Sequence, residues 1–379
     1  MKIRSAIMSA VVAGLLGVAT AGAVAADATM IRASSWHPPK HPGVTGGYLP
    51  FMEYVKRESH GSLDFKFWSG GSLLGAKDTL PGVKNNIADI GVLALTYFPA
   101  EFPYAQLISN LAMLSDDPPA VAAAVTELVV LDCAPCRDDF TKKGLVFTSS
   151  YSTTPYALIS KVPLTTPADL RGKKFRSAGT VWDRWTEFVG GTSVNVSSAE
   201  MFEALDRGGV DVAVFSPAAL QAFSLWDVAK YDVALPLGTY AAMSLFTMNQ
   251  RFWKGLTNEQ RRVLLYGSAV GAMGTTFGYV DSDTSALKLA ADHGVKVVEP
   301  SAALMKQRSE FLEQDLVKVQ SIAKAKYGIN DAAKWIAQYR TLLKKWEAIV
   351  ADAKGDRNKL VKAMQDEIYS KVDPTKYGM

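Results

Sequence analysis

Apolar and polar positions in this chain switch repeatedly between a spacing of two and one of three to four residues, as strands alternating with helices require. Residues 29–35 and 63–68 read as strands. Between them 48–58 runs in helical phase and stops at His60-Gly61. A helix over about 76–85 and a strand at 89–93 extend this to β-α-β-α-β, which predicts a parallel sheet covered by helices. An apolar helix follows over 118–130, then strands at 145–151 and 154–160. The pattern repeats further on. A short strand reaches Arg176, a helix covers 181–189, and a short strand covers 193–196. Ser197-Ser198-Ala199-Glu200 opens another helix as a capping box, and 210–215 is an apolar strand. With no repeat and no long linker, the chain weaves between two α/β lobes. The first is 27–150 with a return over about 243–300, the second is 151–242, and 301–379 supplies outer helices.

After a strand at 243–249, helical phase runs from Glu259 to about His293, with Gly267, Gly271, Gly274 and Gly278 on one face, where they would let another backbone come close. The uncharged stretch inside it is nearly long enough to cross a bilayer, but its Gly, Ser and Thr content favours a long helix across the back of both lobes. A last strand is expected at 295–299. The charged helices at 302–327, 331–353 and 358–371 should be outer ones, with Trp335, Tyr339, Leu342, Leu343 and Trp346 as a buried stripe.

Candidate chemistry gathers at strand ends. In the stretch from Thr166 to Gly179, Phe175 and Arg176 must face opposite sides of one strand. If Phe175 is core, Arg176 looks out from a strand's carboxyl end, where open α/β sheets bind ligands, and offers a carboxylate a rigid fork of donors. The alternative is a surface arginine paired with a nearby acid. Lys173 and Lys174 read as solvated. Trp36 and His37 open a proline-rigidified loop after the first strand, as a pocket wall or as plain loop anchors. Thr96 and Tyr97 end the third strand, and Trp182 and Trp185, one turn apart, suit core or interlobe packing.

Other features narrow the chemistry. There is no G-x-S-x-G elbow and no H-E-x-x-H, and Gly70–Gly75 lacks nucleotide-loop spacing, so no catalytic role, cofactor or metal is expected. Residues 1–26 have a basic start, an apolar run and an Ala-x-Ala exit, which predicts a secretory signal and a mature protein that is exported and free. The two cysteines, Cys133 and Cys136, should then close as a structural disulfide; a thiol oxidoreductase using them is the alternative from another class. A formal charge of +4, falling to +2 without Lys2 and Arg4, with dispersed Lys and Arg, argues against nucleic acid as a partner.

Several segments, in order, carry a resemblance. They are Gly70 to Gly75, Ile87-Ala88-Asp89-Ile90-Gly91, Pro155-Tyr156-Ala157-Leu158 and Pro167-Ala168-Asp169-Leu170-Arg171-Gly172-Lys173-Lys174-Phe175-Arg176. Glu200 to Leu205, Gly209-Val210-Asp211, Val228-Ala229-Lys230-Tyr231 and Met248-Asn249-Gln250-Arg251-Phe252-Trp253 follow. Together they resemble the solute-binding proteins of tripartite ATP-independent periplasmic (TRAP) transporters, the dicarboxylate-binding-protein-like family. The resemblance implies a two-lobed, type II-like periplasmic receptor with mixed sheets, which closes on a small organic acid and presents it to TRAP membrane subunits. A monomer is expected, and a sensor kinase is an alternative partner. It also implies that Arg176 pairs with the ligand carboxylate and that Phe215, Ser216 and Pro217 add pocket contacts. Trp36, His37, Tyr97, Tyr156, Trp182 and Tyr240 complete the expected site. Val212 stands where relatives often have Gly, no Asn lies near Ser216, and Thr154-Pro155-Tyr156 brings no second arginine. These departures point to a smaller or more aromatic monocarboxylate.

Overall fold

A computed structural model describes residues 28–177 and 179–379. The expected signal segment, 1–26, lies outside the described residues. Among the described residues eleven strands form two sheets. The first contains β1 (Thr29–Ser34), β2 (Leu63–Trp68), β3 (Ile90–Ala94), β4 (Leu145–Val146) and β10 (Met243–Asn249), in the order β2-β1-β3-β10-β4. The second contains β5 (Ala157–Ser160), β6 (Lys174–Ser177), β7 (Thr192–Asn195), β8 (Val212–Phe215), β9 (Tyr231–Val233) and β11 (Lys296–Val298), in the order β11-β9-β5-β8-β6-β7. In the first sheet β1 runs parallel to β2 and β3, and β10 runs antiparallel. In the second, β6 lies parallel to β7 and β8, while β5 is antiparallel to both its neighbours. The structure therefore has the two α/β lobes that the alternating pattern predicts, while its sheets are mixed, as the resemblance implies, and not purely parallel.

Two boundaries differ from expectation. The predicted strand 145–151 pairs only at Leu145–Val146. The chain beyond leaves the sheet after Ser149, whose O accepts the Leu245 N–H at 3.0 Å, and as the first of two crossovers between lobes it then pairs with the other crossover. Thr153 N–H donates to Tyr240 O at 3.0 Å, Tyr156 N–H to Gly238 O at 2.8 Å, and Leu237 N–H to Tyr156 O at 2.9 Å. These bonds make a paired ribbon at the hinge. The second correction concerns β11. The predicted first-lobe return over 243–300 stops short of it, because Lys296–Val298 pairs parallel with β9 in the second sheet.

The long helix, Asn258–Leu289, starts at a Thr257–Gln260 capping box. Its glycine face does what the spacing predicts. A Cβ on Gly274 would collide with Gly46 O, and one on Gly271 would meet the Phe246 ring. Only bare glycines admit the tight π-helical segment Gly43–Tyr48, which precedes the helix Leu49–Glu58. The long helix is mostly buried, as a core helix should be. It reaches the second lobe through Asp283, which accepts the Ala218 N–H at 2.5 Å.

The outer helices clamp both lobes. In Ala332–Ala353 the predicted stripe from Trp335 to Trp346 is buried, and Trp346 Nε1 and Lys345 Nζ both donate to Glu127 at 2.6 and 2.9 Å. In Ala302–Tyr327, Asp315 pairs with Arg184 of the second lobe at 2.6 Å.

Candidate functional site

The hinge ribbon and the strand ends of the two sheets enclose a cavity of about 20 Å³. It is lined by Trp36, His37, Ala94, Tyr97, Tyr151, Thr153, Tyr156, Arg176, Ser198, Phe215, Tyr240, Met243 and Tyr279. All of these are buried except Tyr97, which is half-buried, so the lobes are shut over the space. Its present room holds about one water molecule, so the lobes must part to admit an organic acid.

The second lobe supplies a cation. Strand alternation sends Phe175 into the core beneath Gly191 and Arg176 toward the cleft. Arg176 is 0 % exposed. Its Nε donates to Val196 O at 2.8 Å and its Nη1 to Val214 O at 3.2 Å, carbonyls just past β7 and near the end of β8. Its Nη2 donates to Tyr97 Oη at 3.2 Å, across the cleft, and its guanidinium carbon lies 5.4 Å from the Phe215 ring centroid. These bonds use three of five N–H donors. The other two, one on each Nη, meet no acceptor among the described residues, and none of the described acids is within salt-bridge range of Arg176. A buried cation without a counter-ion is costly unless something brings an opposite charge.

Two hydroxyls stand near this fork. Tyr97 Oη also accepts the Ser198 N–H at 2.9 Å, from the capping-box turn Ser197–Glu200 that the sequence predicts. Tyr156 Oη makes no hydrogen bond among the described residues, and burial holds its phenol well above the usual pKa, as a neutral donor. Tyr240, by contrast, is bonded to Thr96 Oγ1 at 2.8 Å and Ala242 O at 3.1 Å, and Trp36 Nε1 donates to Val92 O at 3.0 Å. Those two rings serve as walls.

The far wall is imidazole. His37 is fully buried and its ring stacks on His41, centroids 3.9 Å apart. Burial pushes the His37 pKa down to about 3 and lowers that of His41 well below its usual value, helped by the neighbouring His37. Both are neutral. Arg176 is thus the one charged side chain among the described residues that line the cavity.

Seven of the nine residues expected at the site line this cavity: Arg176, Trp36, His37, Tyr97, Tyr156, Phe215 and Tyr240. Trp182 does not. It stands behind Tyr156, centroids 4.8 Å apart, with Nε1 donating to Leu237 O of the hinge at 2.9 Å. Ser216 is buried outside the lining, its Oγ without a partner among the described residues. Lys174 turns its ammonium to Gly208 O, away from the cleft. Tyr151, Thr153, Ser198, Met243 and Tyr279 also line the cavity and were not foreseen. Tyr151 and Thr153 lie on a crossover that resembles a plain strand, and Tyr279 on a helix whose glycines drew attention to its opposite role in packing. The cysteines form the expected Cys133–Cys136 disulfide, buried outside this cavity.

Comparison with known proteins agrees with this fold. A curated solute-binding protein of Albidiferax ferrireducens is 23% identical over 265 residues, covering 68% of this chain and 75% of its own. A TRAP solute-binding protein from Rhodoferax ferrireducens, solved with copurified benzoate, superposes with a TM-score of 0.75 at 18% identity, covering 85% of this chain and 99% of that one. A TRAP periplasmic solute-binding protein from Bordetella bronchiseptica with bound (R)- and (S)-mandelate gives 0.72 at 20% identity, covering 84% and 99%. A marine metagenome TRAP solute-binding protein specific for aromatic acids, with 3-hydroxybenzoate, gives 0.72 at 23% identity, covering 85% and 99%. The family model for bacterial extracellular solute-binding protein, family 7, matches residues 33–321, and the chain belongs to that family.

Proposed function

We propose that this solute-binding protein works in the periplasm as the receptor of a TRAP transporter and captures a small, flat organic monocarboxylate. One observation carries the reading: the buried Arg176 fork, pinned by three bonds, keeps two N–H groups and its charge uncompensated inside a shut, ring-lined cavity. A carboxylate's two oxygens match the free N–H pair, and the Tyr97 and Tyr156 hydroxyls are placed to add to it. Trp36, Tyr156, Phe215 and Tyr240 present faces to a planar body, in line with the benzoate and mandelate held by structural neighbours.

The charge count limits the ligand. With His37 held neutral, a second carboxylate would be buried unpaired, at a cost of several kcal/mol. Binding involves no covalent step. The hinge ribbon lets the lobes open, the acid enters, and closure expels water around the ion pair, shifting the population toward the form the membrane subunits take up. Thermal-shift titration of the purified protein with a panel of organic acids tests this. The wild type should gain stability with a monocarboxylate and Arg176→Ala should not; an equal gain in both would remove Arg176 from the role.

A further inference from the structure

The cavity ends differently at its two poles. Along one wall, Tyr97 and then Trp36 separate Arg176 from His37: ring centroids are 6.4 Å apart for Tyr97 and Trp36 and 4.1 Å for Trp36 and His37. At the His37 pole hydrogen-bonding capacity is left over, and its distribution over the two imidazoles is unequal. His41 is fully used. Its Nδ1 accepts the Gly43 N–H at 2.9 Å, so that nitrogen carries no proton, and its Nε2 meets Tyr279 Oη at 2.9 Å.

His37 is not. Its Nδ1 is hidden from solvent with no hydrogen-bond partner among the described residues. That edge of the ring is packed against Gly43, where even a Cβ would collide with it, so no ligand can reach it. A buried N–H left unpaired costs more than a bare ring nitrogen, which puts the proton on Nε2. Nε2 lies 3.5 Å from Tyr151 Oη, at the outer limit of a hydrogen bond, and both residues line the cavity. Donors are therefore in surplus at this pole, and they are neutral.

We propose that the ligand carries a neutral oxygen, a hydroxyl or carbonyl, at the end away from its carboxylate, and that His37 Nε2–H and the Tyr151 hydroxyl recognise it. His37 is then a specificity-determining residue. The proposal rests on the reading that Arg176 holds the carboxylate. The depressed His37 pKa agrees with it, since an imidazole that stays neutral reads an uncharged oxygen and does not balance a second anion.

Isothermal titration of the whole purified protein with benzoate, its three ring-hydroxylated derivatives and isophthalate tests it. The wild type should bind at least one hydroxybenzoate about tenfold or more tighter than benzoate, the discrimination expected when an unpaired buried donor gains an acceptor. Isophthalate should bind more weakly than that hydroxybenzoate. His37→Phe should cost the hydroxylated acid about tenfold more affinity than it costs benzoate. If His37→Phe fails to fold, Tyr151→Phe, which removes only the hydroxyl, must narrow the same ratio. Equal affinity for benzoate and every hydroxybenzoate, a ratio that survives the variants, or isophthalate as the tightest ligand would overturn the proposal while leaving the carboxylate at Arg176 in place. A folded wild type that binds none of these acids would overturn both.

Discussion

Two voids of similar size lie on either side of Met243. One is the cleft cavity of about 20 Å³. The other, also about 20 Å³, lies within the first lobe among Leu95, Phe102, Val129, Phe140 and Phe147, beside Cys136. The first-lobe void has no unpaired side-chain donor among the described residues that line it. Its acid, Asp139, accepts the Tyr104 N–H at 3.3 Å, and the rest of its lining is almost wholly apolar. The cleft cavity holds a pinned guanidinium with two spare N–H groups and an imidazole whose Nε2 reaches Tyr151 Oη only at 3.5 Å. Space alone does not mark a binding site. An apolar void costs only cohesion, whereas unpaired buried donors cost free energy that a ligand can return.

Substitutions should separate the two voids. The largest effect is expected for Arg176→Ala, which should weaken acid binding by about 4 kcal/mol, roughly a thousandfold, as measured by isothermal titration. Next comes Phe140→Ala in the apolar void, where Phe140 contacts Phe102 and Phe147 at 4.8 and 5.3 Å between centroids. It should cost about 3 kcal/mol in urea unfolding yet leave acid affinity within about twofold. Comparable losses of affinity from both changes would break the distinction.

The pH dependence of stability should also run in opposite directions. His37 has a folded pKa of about 3, below the unfolded value. Between about 3 and 6.5 the unfolded chain holds the extra proton, so stability rises with pH by roughly 1.4 kcal/mol per unit from this group. His37→Phe should flatten that rise. Burial raises Asp139 to about 6, so the native state holds the extra proton between about 4 and 6 and stability falls as pH rises through that window. Asp139→Asn should remove the fall and gain on the wild type above pH 6. Unfolding at pH 4, 5, 6 and 7 reads both slopes, and slopes of the same sign would contradict the assignment.

The smallest effect is expected at the disulfide. The Cys133→Ser, Cys136→Ser double variant should bind the acid with unchanged affinity, since neither cysteine lines the cleft. A reactive, low-pKa thiol on titration of the reduced protein would instead support the oxidoreductase alternative.

How far the sequence carries the fold follows from which forces are local. The strands Leu63–Trp68 and Met243–Asn249 and the helix Ala302–Tyr327 fall where periodicity puts them, because apolar spacing is a local property. The partner of Lys296–Val298 is not local, and its place in the second sheet could not be read from its own residues. The same holds at the site. Arg176, Trp36 and Tyr97 were found because each lies at or just past a parallel strand's carboxyl end. Trp182 shows the limit: helical spacing gives a face but not a depth, and the ring lies one layer behind Tyr156. Tyr151 and Tyr279 look like ordinary core aromatics in sequence, and only the meeting of a crossover with the long helix, their rings stacked at 5.8 Å, brings them to the cavity.

The most direct test of the central claim is native mass spectrometry of the protein purified from its own periplasm, with the released ligand identified. The account predicts a small organic acid with a single carboxylate, bound to the wild type and missing from Arg176→Ala. A dicarboxylate, an uncharged solute, or the same acid retained by Arg176→Ala would contradict it.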